Sequence, residues 1–240
     1  MLQYRRLPLK ALFNARELGG FPTKGGGVTR YGVFIRSEIP HNLPGSDLDF
    51  LRDYGLRSCM DFRGDTELQI MPNSLEGLDW VEYFHHPMFT LQSAPQGQKA
   101  GKKFQGWGEH YIRMCEEFRP WVKTALEYSA NAEGAMLFNC TTGKDRTGIF
   151  TALLLSIAGV LLPDIVADYS VSMVYMWDVY PSFNFPKDLP KEFLLTPPQA
   201  MRTLLNYFEA NYGGAVGYIR ECGAGSDVIE AIRRKLTCEN

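Results

Sequence analysis

The sequence has little excess charge of either sign, no long apolar run and few cysteines, and each shortage excludes a class of protein. Over 240 residues, 25 lysines and arginines face 27 aspartates and glutamates, for a formal net charge of -2 at pH 7. Nucleic-acid binding driven by bulk positive charge is therefore excluded. The apolar run 149–162 is shorter than the roughly 20 residues that cross a membrane and predicts a buried helix.

The five cysteines have no paired spacing and form no CxxC motif. This pattern is typical of reduced thiols and not of a disulfide framework or a zinc site. The adjacent His85 and His86 are predicted at a strand end, where they point to opposite faces and make a poor metal pair. No signal peptide precedes the first predicted elements. We therefore expect a cytoplasmic protein with no membrane span, no metal and no cofactor.

One cysteine opens a segment with a distinct chemistry. Cys140 follows an apolar run, and Arg146 lies six residues later at the start of a helix-like run. The other four cysteines have Asp65, Trp121, Val228 or no residue at the equivalent position. The loop and the two residues after its arginine read Thr141, Thr142, Gly143, Lys144, Asp145, Arg146, Thr147 and Gly148.

Such a loop between a strand and a helix suits the covalent cleavage of phosphate esters. Successive backbone N–H groups can form a nest for a phosphate dianion at the helix N-terminus, and Gly143 permits the tight turn. The planar guanidinium of Arg146 can bind two phosphate oxygens at once. The same dipoles favour a thiolate at Cys140, to which Thr147 can donate its hydroxyl. The alternative is a buried, inert cysteine beside a turn of paired charges.

The segment Cys-Thr-Thr-Gly-Lys-Asp-Arg-Thr-Gly resembles the phosphate-binding loop of the cysteine-dependent protein tyrosine phosphatases, above all their atypical bacterial and fungal branch. Similar motifs of that branch occur at 14–20, 36–37, 61–67 and 212–219, so the resemblance covers nearly the whole chain. Glu17 replaces the usual aspartate of the first motif. Asn139 stands where the family usually has a histidine that supports the loop and the thiolate.

The resemblance implies a phosphoric monoester hydrolase that works through a phosphocysteine. Cys140 would be the nucleophile, Arg146 and the loop residues 141–144, 147 and 148 would bind the phosphate, and Asp145 would be the general acid. Asp145 can instead merely pair with the neighbouring arginine. The rival acids are Asp164, Asp178 and Asp188, whose distance from the site the sequence does not give.

Several substrates and functions stay open. The branch acts on phosphotyrosine, in some members on phosphoserine or phosphothreonine, and often on phosphoinositides, for which Lys144 could bind a second phosphate. Because Asn139 replaces the histidine that supports the thiolate, the chain could instead be a weakly catalytic module that binds phosphorylated protein or lipid. A rhodanese-like sulfur transferase also uses a loop cysteine, but Asp145 and the arginine six residues after Cys140 argue against it.

The pattern of elements predicts an α/β fold, with a central, mostly parallel sheet flanked by helices as in tyrosine phosphatases, and one domain over residues 1–240. A hairpin turn is predicted at 24–27. Ser46 and Gly55 are predicted to bound the first helix. The predicted strands are 33–36, 56–62, 81–84 and 135–139, and the predicted helices are 47–54, 108–131 with a division near Pro120, 163–177, 198–212 and 226–236.

Two segments could shape the entrance to the site. Residues 91–106 are polar and glycine-containing, and 180–198 hold five prolines with Phe183 and Phe185. Each is either a plain connection or a lid that faces the substrate.

Overall fold

The computed structural model describes residues 4–88, 106–183 and 191–237. Its centre is a five-stranded sheet in the order β1-β2-β5-β3-β4. The strands are β1 (Arg16–Glu17), β2 (Phe34–Ser37), β3 (Leu56–Asp61), β4 (Glu82–His85) and β5 (Ala135–Asn139). Only β1 runs antiparallel to its neighbour β2, and the other pairs are parallel. The predicted α/β class with a mostly parallel sheet is confirmed.

Helices cover both faces of the sheet and follow the strands along the chain. They are α1 (Gly45–Asp53), α2 (Asp65–Ile70), α3 (Trp107–Glu117), α4 (Arg119–Asn131), α5 (Asp145–Ile157), α6 (Leu162–Met176), α7 (Pro198–Tyr212), α8 (Ala215–Glu221) and α9 (Ser226–Leu236). Two short 3₁₀ turns, Tyr180–Ser182 and Lys191–Leu194, lie between α6 and α7.

The central strand β5 is buried along its whole length because β2 and β3 pair with its two edges and a hydrophobic core covers each of its faces. Its side chains alternate between two cores. Met136 and Phe138 join a large cluster with α3 to α9, whereas Ala135 and Leu137 join a smaller one that includes Leu51 of α1. Cys140 continues the alternation and belongs to the larger cluster, on the side where α5 packs.

Most predicted elements are confirmed, several of them at their predicted ends. Strand β5 and helices α7 and α9 have the predicted bounds. The long helix divides at Phe118, because Pro120 can occupy only the first turn of the second helix, α4. The 24–27 turn is closed by the N–H of Thr23, which donates to the carbonyl of Gly27 at 2.9 Å.

The predicted N-cap of α1 is wrong. The helix begins at Gly45 after Pro44, so that Ser46 lies inside its first turn and makes no capping contact. Proline suits that position because its fixed φ leads into a helix and no N–H is lost from the interior. Gly55 does end the helix region, with a positive φ of 95°.

The sequence did not predict β1 or α2. β1 is only two residues long, and α2 is six residues long with no buried residue, so neither has a hydrophobic period. Nearly all of the first possible lid, 91–106, lies outside the described residues; of the second, 180–198, only 184–190 with Phe185 lie outside them. Along the part of the chain that the structure describes, no helix is long and apolar enough to cross a membrane.

Candidate active site

The loop 140–144 connects the carboxyl end of β5 to α5, the edge at which ligands bind in such sheets. Gly143 has a φ of 66°, which favours glycine. A Cβ atom there would lie 2.5 Å from the backbone of Ser37 and Glu38, so a larger residue does not fit. Glycine therefore allows the loop to pack directly on the chain that leaves β2.

The carbonyl groups of the loop are held from behind by buried side chains. Asn14 Nδ2 donates to the carbonyls of Thr142 at 3.0 Å and Gly143 at 3.2 Å, and Arg36 Nη2 donates to that of Gly143 at 2.7 Å. The N–H of Ile39 donates to the carbonyl of Thr141 at 3.2 Å. In a planar trans peptide the N–H points away from the C=O. The N–H groups of Thr142, Gly143 and Lys144 therefore point away from these partners, as the N–H groups of an anion nest require.

Asn14 and Arg36 together form a clamp behind the loop, and a buried charge cluster holds these two side chains in place. Asp168 Oδ1 accepts from Arg16 at 2.9 Å, and its Oδ2 accepts from Arg36 at 2.5 Å. Burial raises the pKa of Asp168, but the two arginines outweigh it and lower that pKa to about 2. For Arg36, burial acts in the opposite direction and is the main cause that lowers its pKa to about 10. Arg16 extends the cluster to Asn14, to whose Oδ1 it donates at 2.5 Å.

Cys140 is 2 % exposed and lies within electrostatic range of both Arg36 and Arg146. The expected hydrogen bond from Thr147 is not formed. Thr147 Oγ1 is buried and has no hydrogen-bond partner among the described residues. That prediction is therefore wrong for this conformation.

Arg146 is fixed by Glu67 of α2. Its Nη1 and Nη2 donate to the two carboxylate oxygens of Glu67 at 2.7 and 2.6 Å, and Nη1 also donates to the carbonyl of Phe62 at 3.1 Å. Burial raises the pKa of Glu67, but the hydrogen bonds and charge of Arg146 lower it to about 2. Thr141 donates its hydroxyl to the same carboxylate. The pairing orients the guanidinium plane at the edge of the cleft.

Asp145 occupies the first residue of α5, and its side chain is 24 % exposed. Tyr111 of α3 donates to its Oδ1, and Lys144 Nζ lies 3.5 Å from its Oδ2. The ion pair of Arg146 is with Glu67. The arrangement thus presents a carboxyl group to the cleft, as a general acid requires.

Lys144 is buried and ties the loop to the chain before α7. Its Nζ donates to the carbonyl of Phe193 at 2.5 Å and to that of Leu195 at 3.2 Å, and it lies 4.6 Å from the ring centre of Trp107. In this conformation the ammonium group is occupied by protein partners.

The loop lines a cleft of about 370 Å³. The cleft is lined by residues of the loop and α5, by an apolar and aromatic set, and by residues before and in α2: Thr141, Thr142, Lys144, Asp145 and Arg146; Trp107, Tyr180, Phe183, Phe193 and Leu194; and Arg63, Glu67, Ile70 and Met71. Of the rival acids, Asp164 and Asp178 are not among the lining residues that the structure describes, and Asp188 lies outside the described residues. Of the four aspartates considered as the acid, Asp145 is the one that lines the described part of the cleft, where Glu67 is a second acidic residue and pairs with Arg146.

The neighbouring Asp61 and Arg63 support the site from behind. Arg63 Nη2 donates to Asp61 Oδ2 at 2.8 Å, and its Nη1 donates to the carbonyl of Met71 at 2.7 Å. Burial raises the pKa of Asp61, yet Arg63 and Asn73 lower it below its usual value. This buried network fixes both ends of α2 and therefore the position of Glu67.

Sequence reasoning missed Tyr111, Tyr169 and Asp168. Tyr111 and Tyr169 lie on α3 and α6, and their hydroxyl oxygens are 2.7 Å apart. Their helical spacing predicts only a core position. For Asp168 the sequence did offer a signal, an aspartate within an apolar helical segment. Such a carboxylate is rarely buried unpaired, so its position indicates a buried cationic partner.

Comparison with known proteins agrees with this geometry. The tyrosine phosphatase family model matches residues 7–238. A tyrosine-protein phosphatase of Nostoc commune is 27% identical over 217 residues, which cover 85% of this chain and 74% of that protein. A Cupriavidus necator protein provisionally named a tyrosine-protein phosphatase is 31% identical over 177 residues, 68% of this chain and 61% of its own length.

Among solved structures, that of P. aeruginosa TpbA covers 84% of both chains at 15% identity and a TM-score of 0.34. The family match spans residues 7–238. It includes β5, the loop that follows Cys140 and the helices that clamp it. The chain therefore belongs to the tyrosine phosphatase family.

Proposed function

We propose that this protein hydrolyses phosphotyrosine in proteins through a phosphocysteine on Cys140. The observation that supports the proposal most strongly is the clamp on the loop. Asn14 and Arg36 bind its carbonyls, which leaves its N–H groups available to a phosphate placed over Cys140. A phosphate bound there meets the thiolate, the nest and Arg146 together.

In the first step the Cys140 thiolate attacks phosphorus opposite the leaving oxygen. The nest and the Arg146 guanidinium hold the equatorial oxygens, and the proton of Asp145 passes to the departing phenol. Arg146 can exchange its contacts with Glu67 for contacts with phosphate. Its Nη1 and Nη2, which donate to the two carboxylate oxygens of Glu67, can donate to two phosphate oxygens in the same way. The S–P bond forms as the P–O bond breaks.

In the second step water hydrolyses the phosphocysteine. The Asp145 carboxylate takes a proton from the water as its oxygen bonds to phosphorus, and the thiolate leaves. The nest and Arg146 stabilise the charge on the phosphoryl oxygens in both steps.

The walls of the cleft favour an aromatic phosphate ester. Trp107, Tyr180 and Phe193 line it and offer ring surfaces to a phenol. A phosphoinositide is the alternative substrate, for which Lys144 would have to bind a second phosphate. Lys144 already donates to the carbonyls of Phe193 and Leu195, so that role costs two hydrogen bonds.

The proposal includes a cytoplasmic location. Cys59, Cys115, Cys140 and Cys222 are free thiols in the structure. The nucleophile must stay reduced to act, and the cytosol keeps thiols in that state.

Substitution of Cys140 by serine tests the proposal. Cys140→Ser should lose turnover of p-nitrophenyl phosphate and still bind phosphotyrosine peptides, because a serine hydroxyl does not ionise there and the nest remains. Cys222→Ser makes the same atomic change in another buried cysteine and should keep activity. Wild-type turnover by Cys140→Ser would exclude covalent cysteine catalysis.

A substrate panel then separates the candidates. We expect phosphotyrosine peptides to be hydrolysed with a higher kcat/KM than phosphoserine peptides or phosphoinositides. Preference for a phosphoinositide would favour the alternative. Tight binding of phosphotyrosine peptide without any turnover by the wild-type protein would indicate the binding module that Asn139 leaves open.

A further inference from the structure

Two buried tyrosines form a chain of hydroxyl groups that ends on Asp145. The hydroxyl of Tyr111 donates to Asp145 Oδ1, and the hydroxyl oxygen of Tyr169 lies 2.7 Å from that of Tyr111. Tyr111 is fully buried and Tyr169 is 1 % exposed, whereas Asp145 lines the cleft. The two-step mechanism above uses neither tyrosine.

Packing fixes both hydroxyl groups. The two rings meet edge to face, with centroids 6.0 Å apart and planes at 84°. The Tyr169 ring packs on the first turn of α5, where a Cβ on Gly148 would lie 3.0 Å from it. Tyr111 also packs against Trp107 at 5.7 Å. Neither side chain can turn away without opening the core.

The direction of the hydrogen bonds follows from proton counting. Burial raises the pKa of Tyr111 and of Tyr169 well above the usual value, so both keep their protons. Ionised Asp145 can only accept. The proton of Tyr111 therefore points to Asp145, and the proton of Tyr169 points to Tyr111.

We propose that Tyr111, held by Tyr169, is a positioning residue that makes Oδ2 the proton-carrying oxygen of Asp145. This inference rests on the proposed function. Because Oδ1 accepts from Tyr111, the proton of the neutral carboxyl group occupies Oδ2. The proton on Oδ2 passes to the leaving oxygen as the P–O bond breaks and the S–P bond forms. Oδ2 takes it back from the attacking water, and the tyrosine protons stay in place.

Lys144 lies on the side of Oδ2. Its Nζ is 3.5 Å from that oxygen, beyond an ordinary hydrogen bond, and donates to the carbonyls of Phe193 and Leu195. Lys144 thus forms an ion pair with Oδ2 but donates its hydrogen bonds to those two carbonyls, while Oδ1 accepts the hydrogen bond of Tyr111.

Kinetics of Tyr111→Phe on aryl phosphates with leaving phenols of graded acidity test the inference. Phenylalanine keeps the ring and removes the hydroxyl. We expect kcat/KM for phenyl phosphate, which reports the first step and not the hydrolysis of the phosphocysteine, to fall about 10-fold or more, part of the roughly 10²- to 10⁴-fold that proton transfer contributes. The kcat/KM for p-nitrophenyl phosphate, whose phenolate leaves readily without a proton, should change little. Tyr169→Phe should cause a smaller loss of the same kind.

The same substitution in an Asp145→Asn background separates positioning from packing. Tyr111→Phe should then add no further loss, because the carboxyl group that it orients is gone. Tyr218→Phe is the matched control, since it removes an equally buried hydroxyl that donates to the carbonyl of Cys115 at 2.6 Å. Any loss that it causes should be the same for every leaving group.

The outcomes distinguish the two proposals. If Asp145→Asn depends strongly on the leaving group and Tyr111→Phe does not, the positioning role is wrong and the proposed function stands. If Asp145→Asn shows no such dependence, Asp145 is not the acid and the inference falls with that assignment. Covalent catalysis by Cys140 would still be decided separately by Cys140→Ser.

Discussion

Asn139 stands at the position where the resemblance described in the sequence analysis implies a histidine. Its side chain is fully buried, and Oδ1 lies 3.4 Å from Asn73 Nδ2 and 3.8 Å from Cys59 Sγ. Its Nδ2 has no hydrogen-bond partner among the described residues. Neighbouring side chains in an extended chain point to opposite faces. The side chain of Asn139 therefore lies on the face of the sheet opposite to that of Cys140, the first residue of the loop.

Asn139→His should raise activity at mildly acidic pH. A histidine there can orient the loop and, when charged, favour the Cys140 thiolate. The rate of iodoacetamide alkylation of Cys140 against pH measures the thiolate directly, and its profile should move to lower pH. Because the position is fully buried, the larger ring should also cost about 1 kcal/mol or more of stability.

Asn139→Gln is the control, since it enlarges the side chain without adding a titrating group. Its alkylation profile should match that of the wild type. Coincident profiles for Asn139→His and the wild type would mean that Asn139 already supports the thiolate as well as a histidine would.

At the scale of elements, the strand–loop–helix unit of β5, residues 140–144 and α5 holds the residues to which we assign the chemistry. Gly143 is the residue on which its geometry depends. Its φ of 66° and the 2.5 Å approach to Ser37 and Glu38 act together. The first disfavours any side chain, and the second excludes one sterically.

Gly143→Ala should therefore distort the loop and abolish phosphate binding. Gly26→Ala is the matched control, because Gly26 also has a positive φ, 83°, but no atom lies within 4 Å of its Cβ position. We expect the control to lose about 1–2 kcal/mol of stability from backbone strain alone and to keep activity. Vanadate or phosphate affinity by calorimetry, with thermal melting, compares the two. Equal effects would show that the close approach is unimportant.

The same unit shows what the sequence could predict. The spacing of Cys140 and Arg146 located the loop, and the apolar run before it gave β5 with the right bounds. The contact between Tyr111 and Tyr169 joins residues 58 positions apart, and that between Arg16 and Asp168 joins residues 152 apart. Hydrophobic periodicity reports which face of a helix is buried, but not which distant hydroxyl or carboxylate meets it. The roles of the site residues at the cleft, including Asp145, stay proposals.

At the scale of the whole molecule, the charge cluster around Asp168 joins the N-terminal segment, β2 and α6. Arg5, Arg16 and Arg36 all lie within 3.3 Å of its carboxylate. Arg36 also holds the catalytic loop, so stability and phosphate binding depend on the same carboxylate. One domain over 1–240 stays a prediction.

Asp168→Asn should destabilise the protein by about 3–5 kcal/mol, because it leaves buried arginines without a counter-charge. Urea denaturation measures the free energy of unfolding. Asp53→Asn removes the same charge from a side chain that is 79% exposed and should cost less than about 1 kcal/mol. A similar small loss in Asp168→Asn would contradict a role for the cluster in stability.

The same carboxylate predicts a dependence on pH. The pKa of Asp168 falls from 3.8 to about 2 on folding, so the folded state binds this proton less tightly than the unfolded state. The stabilisation is therefore complete above the unfolded pKa and is lost as pH falls through about 2. The difference in stability between the wild type and Asp168→Asn should shrink over that range in acid titrations followed by circular dichroism.

The most direct test of the account is to find the covalent intermediate. The enzyme is mixed with p-nitrophenyl phosphate, quenched in acid within the first turnovers and digested, and the phosphorylated residue is located by tandem mass spectrometry. We predict phosphate on Cys140 in the wild type and no phosphorylated residue in Cys140→Ser. Phosphate on another residue, or full turnover with no phosphocysteine at any quench time, would contradict the account.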